Sequence, residues 1–237
     1  MTIILITFAS RHHIDNRGRR QPGQYSTDRL VAEATASGYF DRVIAYDEND
    51  LDRRFYKQHK KFITNNPRGY GYWLWKPQLA LQTLAGMKGG DILCYIDAGS
   101  TISTTPAARR RMADYIRLVQ TSPFDNLGFQ MNHLPEHCYS KNDLFQFLRV
   151  KPNDSNIRDS GQLVGGIWFI KKSPRSKKLL TSWLKTGEHY HLIDDSPSIT
   201  ANHPAFRAHR HDQSIFSIIR KQQGATLLPD ETWQEQF

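Results

Sequence analysis

Short apolar runs rich in β-branched residues recur along the first half of the chain, and each is followed by a stretch with helical spacing. Ile3–Phe8 is the first such run and predicts a buried strand. Residues about 27–37 predict a helix, with Ser26 as its cap and Gly38 as its stop. Arg42–Tyr46 predicts a second strand ending in Asp47, and residues about 50–63 a basic helix. Pro77 takes a favoured first-turn position of the next helix, where Pro77, Leu81, Leu84 and Ala85 share a face, and Gly89 and Gly90 end it. Ile92–Ile96 predicts a third strand ending in Asp97, and Thr105–Pro106 opens another helix. Strands alternating with helices imply an α/β fold with a mostly parallel central sheet, flanked by helices and joined by right-handed crossovers. Ligands of such sheets lie beyond the carboxyl ends of the strands. The polar segments Thr7–Ser10, Asp47–Asn49 and Asp97–Ser100 are therefore expected to line one crevice.

The second half is less regular. Leu127–Met131 predicts a strand, Ser140 to Asp143 a capping box, and Gln162–Ile170 a strand with Gly165 and Gly166 inside it, where glycine marks close approach of a ligand or another backbone. A helix opens near Pro174 and runs to about Lys185. A long loop over roughly 187–210 carries Asp194 and Asp195, a length usual for functional loops. A helix from about Asp212 to Gln222 and a short strand at Ala225–Leu228 complete the pattern.

Charge adds a partner to this picture. Against 23 acidic residues stand 32 Lys and Arg, an excess of +9 that calls for an anionic partner: nucleic acid, membrane surface, nucleotide or phosphorylated substrate. The basic residues come in short bursts, Arg53 to Lys61, Arg109 to Arg111 and Lys171 to Lys178, which read as solvated helix faces. Twelve Phe, ten Tyr and five Trp exclude a disordered chain. No apolar run approaches the ~20 residues of a spanning helix. Arg11, Arg17, Arg19 and Arg20 follow the first apolar run, the reverse of a secretory signal. Two cysteines, Cys94 and Cys138, make neither a disulfide framework nor a zinc cluster, and a reducing compartment is the default.

Three segments carry candidate chemistry. Arg68-Gly-Tyr-Gly-Tyr-Trp-Leu-Trp-Lys-Pro77 sets aromatics and glycines before a helix N-terminus, with Arg68 and Lys76 adding positive charge and Tyr72 and Trp75 offering rings to a base or sugar. Core packing is the alternative for each ring. Asp91-Ile-Leu-Cys-Tyr-Ile-Asp-Ala-Gly99 delivers Asp97 to the crevice mouth, where it would hold a divalent cation, bond a ribose hydroxyl, or only cap a turn. His209-Arg-His-Asp-Gln213 opens a helix with Asp212 at its start, either as a plain N-cap or as a reactive group. His209 and His211 raise a metallohydrolase reading, but Asp212 follows His211 directly and no further histidine comes next, so the binuclear-zinc spacing is not met.

In this order the segments resemble the nucleotide-sugar-dependent glycosyltransferases of the GT-A fold, of the bacterial and viral surface-glycan type, over roughly residues 3–230. Ile96-Asp-Ala-Gly99 sits where that fold carries its Asp-x-Asp motif, Val164-Gly-Gly-Ile-Trp-Phe-Ile-Lys-Lys-Ser173 resembles the strand beside the donor sugar, and Asp212-Gln-Ser-Ile-Phe216 the helix that closes the site. The resemblance implies a single Rossmann-like domain over 1–237, with a donor-binding half at about 1–125 and an acceptor-side half at about 126–237. It implies transfer of a sugar from a nucleotide donor, a UDP-sugar, to a saccharide or lipid-linked acceptor in surface polysaccharide synthesis, lipopolysaccharide or capsule. Donor contacts would come from Thr7, Phe8, Asp47, Arg68, Tyr72, Trp75, Lys76, Asp97, Ala98, Gly99, Gly165 and Gly166, and catalysis from Asp212 and Gln213, with His211 a weaker base. A divalent cation, Mn²⁺ or Mg²⁺, would sit on Asp97, although Gly99 replaces the motif's second acid. Where the metal fails, Arg68 and Lys76 would carry the diphosphate. The implied place is the cytoplasm, with weak attachment to an anionic leaflet through basic residues.

Two other readings stay open at this level. A nucleic-acid-binding or nuclease-like protein agrees with the charge, but the basic bursts read as solvated helix faces, and no second acid is placed for a two-metal site. A catalytically inactive sugar-binding protein on the same fold agrees with Gly99.

Overall fold

A computed structural model describes residues 1–11 and 23–233; Arg17, Arg19 and Arg20, which argued against a secretory signal, lie outside them. In chain order the elements are β1 (Ile3–Phe8), α1 (Gly23–Ser37), β2 (Arg42–Tyr46), α2 (Arg53–Asn65), the one-turn α3 (Gly69–Tyr72), α4 (Trp75–Ala85), β3 (Ile92–Ile96) and α5 (Pro106–Thr121). The second half adds β4 (Asn126–Pro135), the short α6 (Glu136–Tyr139), α7 (Asn142–Phe147) and α8 (Ser155–Arg158), then β5 (Gly161–Leu163), β6 (Ile167–Lys171), α9 (Pro174–Gly187), α10 (His211–Gln223) and β7 (Thr226–Pro229). Caps set several starts: the Asp52 carboxylate accepts from Arg54 and Phe55 N–H, Thr105 accepts from Ala108 N–H, and Ser173 precedes Pro174 at the first turn of α9.

The strands form one seven-stranded sheet in the order β2-β1-β3-β6-β4-β5, with β7 against the other side of β4. Parallel pairing holds for β2-β1-β3 and for β4-β7. β6 runs antiparallel to both β3 and β4. The Gly165–Gly166 pair interrupts this part of the sheet without reversing the chain. The run expected as one strand over Gln162–Ile170 divides there into β5 and β6, which continue in one direction, and both lie antiparallel to β4. Ser26 lies inside α1 rather than at its cap, because that helix begins at Gly23. The Ser140 capping box does not form: Lys141 holds the cap position of α7, Ser140 Oγ donates to Glu136, and Asp143 accepts from the backbone of Ile199 and Thr200. α4 ends at Ala85, capped by Gly86 before the two glycines are reached.

Alternation along the strands divides the core between the two sheet faces. Ile4, Ile6, Phe8, Leu93, Tyr95, Trp168 and Ile170 pack under α4, α9 and α10. Leu5, Ile92, Cys94, Leu127, Phe129 and Phe169 pack under α1 and α5. Burial pushes the Cys94 thiol up, so it stays protonated and acts as a small apolar group. Trp183 of α9 stacks on Phe216 of α10 at 3.8 Å. α10 is enclosed on nearly every side, with Ser214, Ser217 and Arg220 as buried as Ile215, Phe216 and Ile218. That enclosure carries its first residues, His211 and Asp212, out of water as well. Among the described residues no helix is long and apolar enough to cross a membrane.

Candidate active site

The carboxyl ends of β1, β2 and β3 lie side by side, with Phe8 paired to Tyr46 and Ile6 to Tyr95. Asp97 leaves the end of β3, and its backbone N–H is held by Gly166 O at 2.8 Å. Facing it is the segment that enters α4. Residues 69–73 all have positive φ (57°, 53°, 83°, 52° and 61°), so the chain makes a left-handed turn through two tyrosines and a tryptophan. Such a conformation costs about 1–2 kcal/mol for each non-glycine residue. It is held by Gly71 N–H on Asn66 O (2.8 Å), Trp73 N–H on Gly69 O (3.0 Å), and the Trp75 indole N–H on Gly69 O (2.9 Å). Strain of this kind collects where a site must be shaped against local preference. Here it turns Lys76 inward.

Lys76 is the centre of the site. Its side chain is 4% exposed, and its Nζ lies 3.2 Å from Asp97 Oδ1, 3.3 Å from Asp212 Oδ2 and 3.4 Å from Gly165 O. The rings of Tyr95, Trp73 and Trp75 surround it at 5.0, 5.9 and 6.0 Å. Burial alone would lower its pKa, but Asp212 and Asp97 outweigh that and hold it above the ordinary lysine value, so the ammonium is charged. The Tyr95 hydroxyl donates to Asp97 Oδ1 at 2.6 Å. Burial pushes Asp212 up to about 6, opposed by Lys76 and reinforced by the charge of Asp97. Oδ2 of Asp212 accepts no well-formed hydrogen bond. The site meets solvent through Asp97, whose side chain is 46% exposed.

Gln213 is clamped. Its Oε1 accepts from Gly165 N–H at 3.1 Å, and its Nε2 donates to Gln162 Oε1 at 2.7 Å. The two glycines are required by contact: a Cβ on Gly165 would lie 2.9 Å from Gln213 Cβ, and one on Gly166 2.5 Å from Asp97 Oδ2. Beside this centre lies a second group. The His211 ring stacks on Tyr72 at 4.7 Å, its Nδ1 bonds Ile193 O at 2.8 Å, and its Nε2 is 3.6 Å from Asp195 Oδ1. Burial lowers the His211 pKa, so Nδ1 donates and Nε2 keeps a lone pair. Arg68 closes the group from the surface with a 3.0 Å ion pair to Asp195.

The expected residues thus sort by place. Lys76, Asp97, Gly165, Gly166, Asp212 and Gln213 meet at one centre, and Arg68, Tyr72 and His211 adjoin it. Phe8 stacks on Trp75 at 3.8 Å, and both are buried, so neither ring is presented to a ligand here. Thr7 is buried, with its hydroxyl unpartnered. Tyr72 is buried against His211. Asp47 caps the turn after β2 and pairs with Arg11 at 2.6 Å, two strands from β3 and so ~10 Å away across the sheet. Ala98 O accepts from Arg29, and Gly99 is exposed with open space about it. His209 is committed at both ring nitrogens, to Lys141 N–H and Leu192 O, which suits a structural histidine and not a zinc ligand, and burial lowers its pKa to about 3. Three contributors were given no role in the site by the sequence: Tyr95, Gln162, and Asp195, which it places only in the long loop. Tyr95 was legible, because strand alternation places it on the same face as Asp97.

The donor set does not fit the divalent cation expected on Asp97. Such an ion takes about six oxygen ligands, usually including one or two carboxylates. Here the Lys76 ammonium stands between the two carboxylates, the Tyr95 hydroxyl occupies the nearer oxygen of Asp97, and residue 99 has no side-chain oxygen. Among the described residues no three His, Cys, Asp or Glu side chains are grouped to hold a metal.

No sequence-family model matches the chain, and no curated protein matches it. Among solved structures it is similar to mouse xyloside xylosyltransferase 1 in its apo form, at 13% identity and a TM-score of 0.49, over 95% of this chain and 83% of that one. It is also similar to 4-diphosphocytidyl-2C-methyl-D-erythritol synthase from Anaerococcus prevotii, at 10% identity and a TM-score of 0.35, over 96% of this chain and 86% of that one. The class the chain defines by its own sheet order and helix layers is a mixed-sheet α/β protein with a polar centre at the ends of its parallel strands.

Proposed function

We propose that this protein is a glycosyltransferase that moves a sugar from a nucleotide donor, a UDP-sugar, to a saccharide or lipid-linked acceptor. The observation that carries the reading is Lys76 held between half-exposed Asp97 and buried Asp212, at the strand ends where an α/β sheet takes its ligands. In this reading Asp97 Oδ2 accepts a ribose or sugar hydroxyl, and Arg68 meets the diphosphate at the rim. Negative charge grows on the leaving diphosphate in the transition state, so preorganised cations contribute most at that moment. Asp212 faces either the acceptor hydroxyl, as general base of an inverting transfer, or the sugar's reacting carbon, where it would stabilise an oxocarbenium-like species in a retaining one. Its pKa of about 6 suits a general base working near neutral pH. Gln213, clamped by Gly165 and Gln162, orients the sugar.

A thermal-shift screen of nucleotides and sugar nucleotides tests the reading, because a ligand of the folded state raises apparent stability by mass action. UDP or a UDP-sugar is expected to raise the midpoint, and released UDP is expected when an acceptor is added. Salt-sensitive DNA binding with no response to any nucleotide would instead support the nucleic-acid reading.

The glycine contact gives a sharper expectation. Gly166→Ala pushes the Asp97 carboxylate off Lys76, but that side chain is half exposed and able to swing outward. The midpoint is expected to fall by only a few degrees, a loss of about 1 kcal/mol, while affinity for UDP falls about tenfold or more. An unchanged UDP affinity would remove Asp97 from the donor site.

A further inference from the structure

The site lacks the donor set for a divalent ion, yet it holds two carboxylates and expects an anionic ligand. We infer that the ammonium of Lys76 stands permanently in the position a divalent cation would take, and that ligand binding at this centre is independent of divalent metal. Three observations point the same way. Lys76 Nζ is nearly equidistant from Asp97 Oδ1 and Asp212 Oδ2, 3.2 and 3.3 Å, as a bridging ion would be. Its Nζ also donates to Gly165 O at 3.4 Å, so three oxygens lie within 3.4 Å of it, and the Tyr95, Trp73 and Trp75 rings lie 5.0 to 6.0 Å away. Gly99, where a second acid would serve a metal, is exposed with nothing within 4 Å of the place a Cβ would occupy. An aspartate would fit there, so its absence is not imposed by packing. A dication added beside a buried ammonium would meet strong repulsion in a site screened poorly by water.

The nature of the ligand rests on the proposed function, but the decisive measurement uses Mn²⁺ alone. In wild-type protein, Mn²⁺ titrated up to about 1 mM and followed by electron paramagnetic resonance is expected to show no saturable site of the kind Asp97 would form. Lys76→Ala opens the space between the two carboxylates and is expected to create one saturable Mn²⁺ site, at least about tenfold tighter than any wild-type binding. Asp97→Asn in the same background is expected to abolish it. Saturable wild-type binding removed by Asp97→Asn would overturn the inference. So would a folded Lys76→Ala protein that takes no Mn²⁺. Lys76→Gln keeps more of the side-chain volume and repeats the test should the alanine variant not fold. A second arm compares UDP affinity in EDTA with that in Mn²⁺. Agreement within about twofold supports the inference, and a loss of about tenfold in EDTA overturns it. Absence of UDP binding under either condition would count against the proposed function, while the Mn²⁺ arm still decides the role of Lys76.

Discussion

Asp212→Asn is expected to reduce sugar transfer by about 10²- to 10⁴-fold while the protein stays folded. The amide has the shape of the carboxyl group and fits the same enclosed start of α10, but it takes up no proton and carries no charge opposite Lys76. The pH dependence gives the assignment a second signature. A base of pKa about 6 is protonated below that value, so kcat/KM is expected to fall about tenfold per pH unit below about pH 6 and to level off above it. Stability moves the opposite way. The folded-state pKa is raised from 3.8 to about 6, so the neutral acid is favoured in the fold. That contribution is fully present below about pH 3.8 and lost as pH rises through about 6. The wild type is therefore expected to lose stability relative to Asp212→Asn across this window, with no further change above it. Paired melting curves from about pH 4 to 7 measure this, and parallel curves would show that burial does not raise the pKa of Asp212.

Glu136→Ala is expected to cost about 3–5 kcal/mol of stability, read as a drop in the urea midpoint at constant slope. Glu136 is fully buried at the start of α6. Its Oε1 accepts from Lys221 at 2.8 Å and from Ser217, and its Oε2 accepts from Ser140 at 2.9 Å and Gln162 at 3.1 Å. Nearby Arg220 is also fully buried, and burial lowers its pKa to about 9 against the opposing pull of Glu136. Removing the carboxylate leaves two enclosed cations without their counter-charge, the costly way to break a buried pair. The effect should reach the site as well, because Gln162 links Glu136 to Gln213. A stability change below about 1 kcal/mol would mean that water or a shifted side chain compensates the cations without cost.

The first three strands were legible to the residue, Ile3–Phe8, Arg42–Tyr46 and Ile92–Ile96, because short, mostly apolar runs that include β-branched residues lie between polar segments. The ends of the helices were less so. Ser26 and Ser140 have the chemistry of caps, yet α1 starts three residues earlier than Ser26, and the Ser140 hydroxyl is drawn to Glu136. A buried carboxylate in need of donors outweighs a local cap, and although Glu136 lies only four residues before Ser140, its burial is set by distant neighbours such as Ser217 and Lys221. The glycine pair, expected to mark close approach of a ligand or another backbone, instead makes room for the side chains of Asp97 and Gln213, which come from elsewhere in the chain.

By itself the sequence determined the strand–helix alternation of the first half, the strand ends that lie side by side in β1 to β3, and the candidate residues Lys76, Asp97, Asp212 and Gln213. These follow from local rules: apolar periodicity, strand length, and polar residues placed just after a strand or at a helix start. The tertiary structure alone decided their relations. It turned Trp75 and Phe8 into packing partners, committed Asp47 at the end of β2 to a cap and an ion pair with Arg11, set β6 antiparallel within the sheet, and seated one ammonium between two carboxylates far apart in the chain. Burial and charge pairing are properties of three-dimensional neighbours, and they determine whether a charged side chain is a ligand's contact or the counter-ion of another residue.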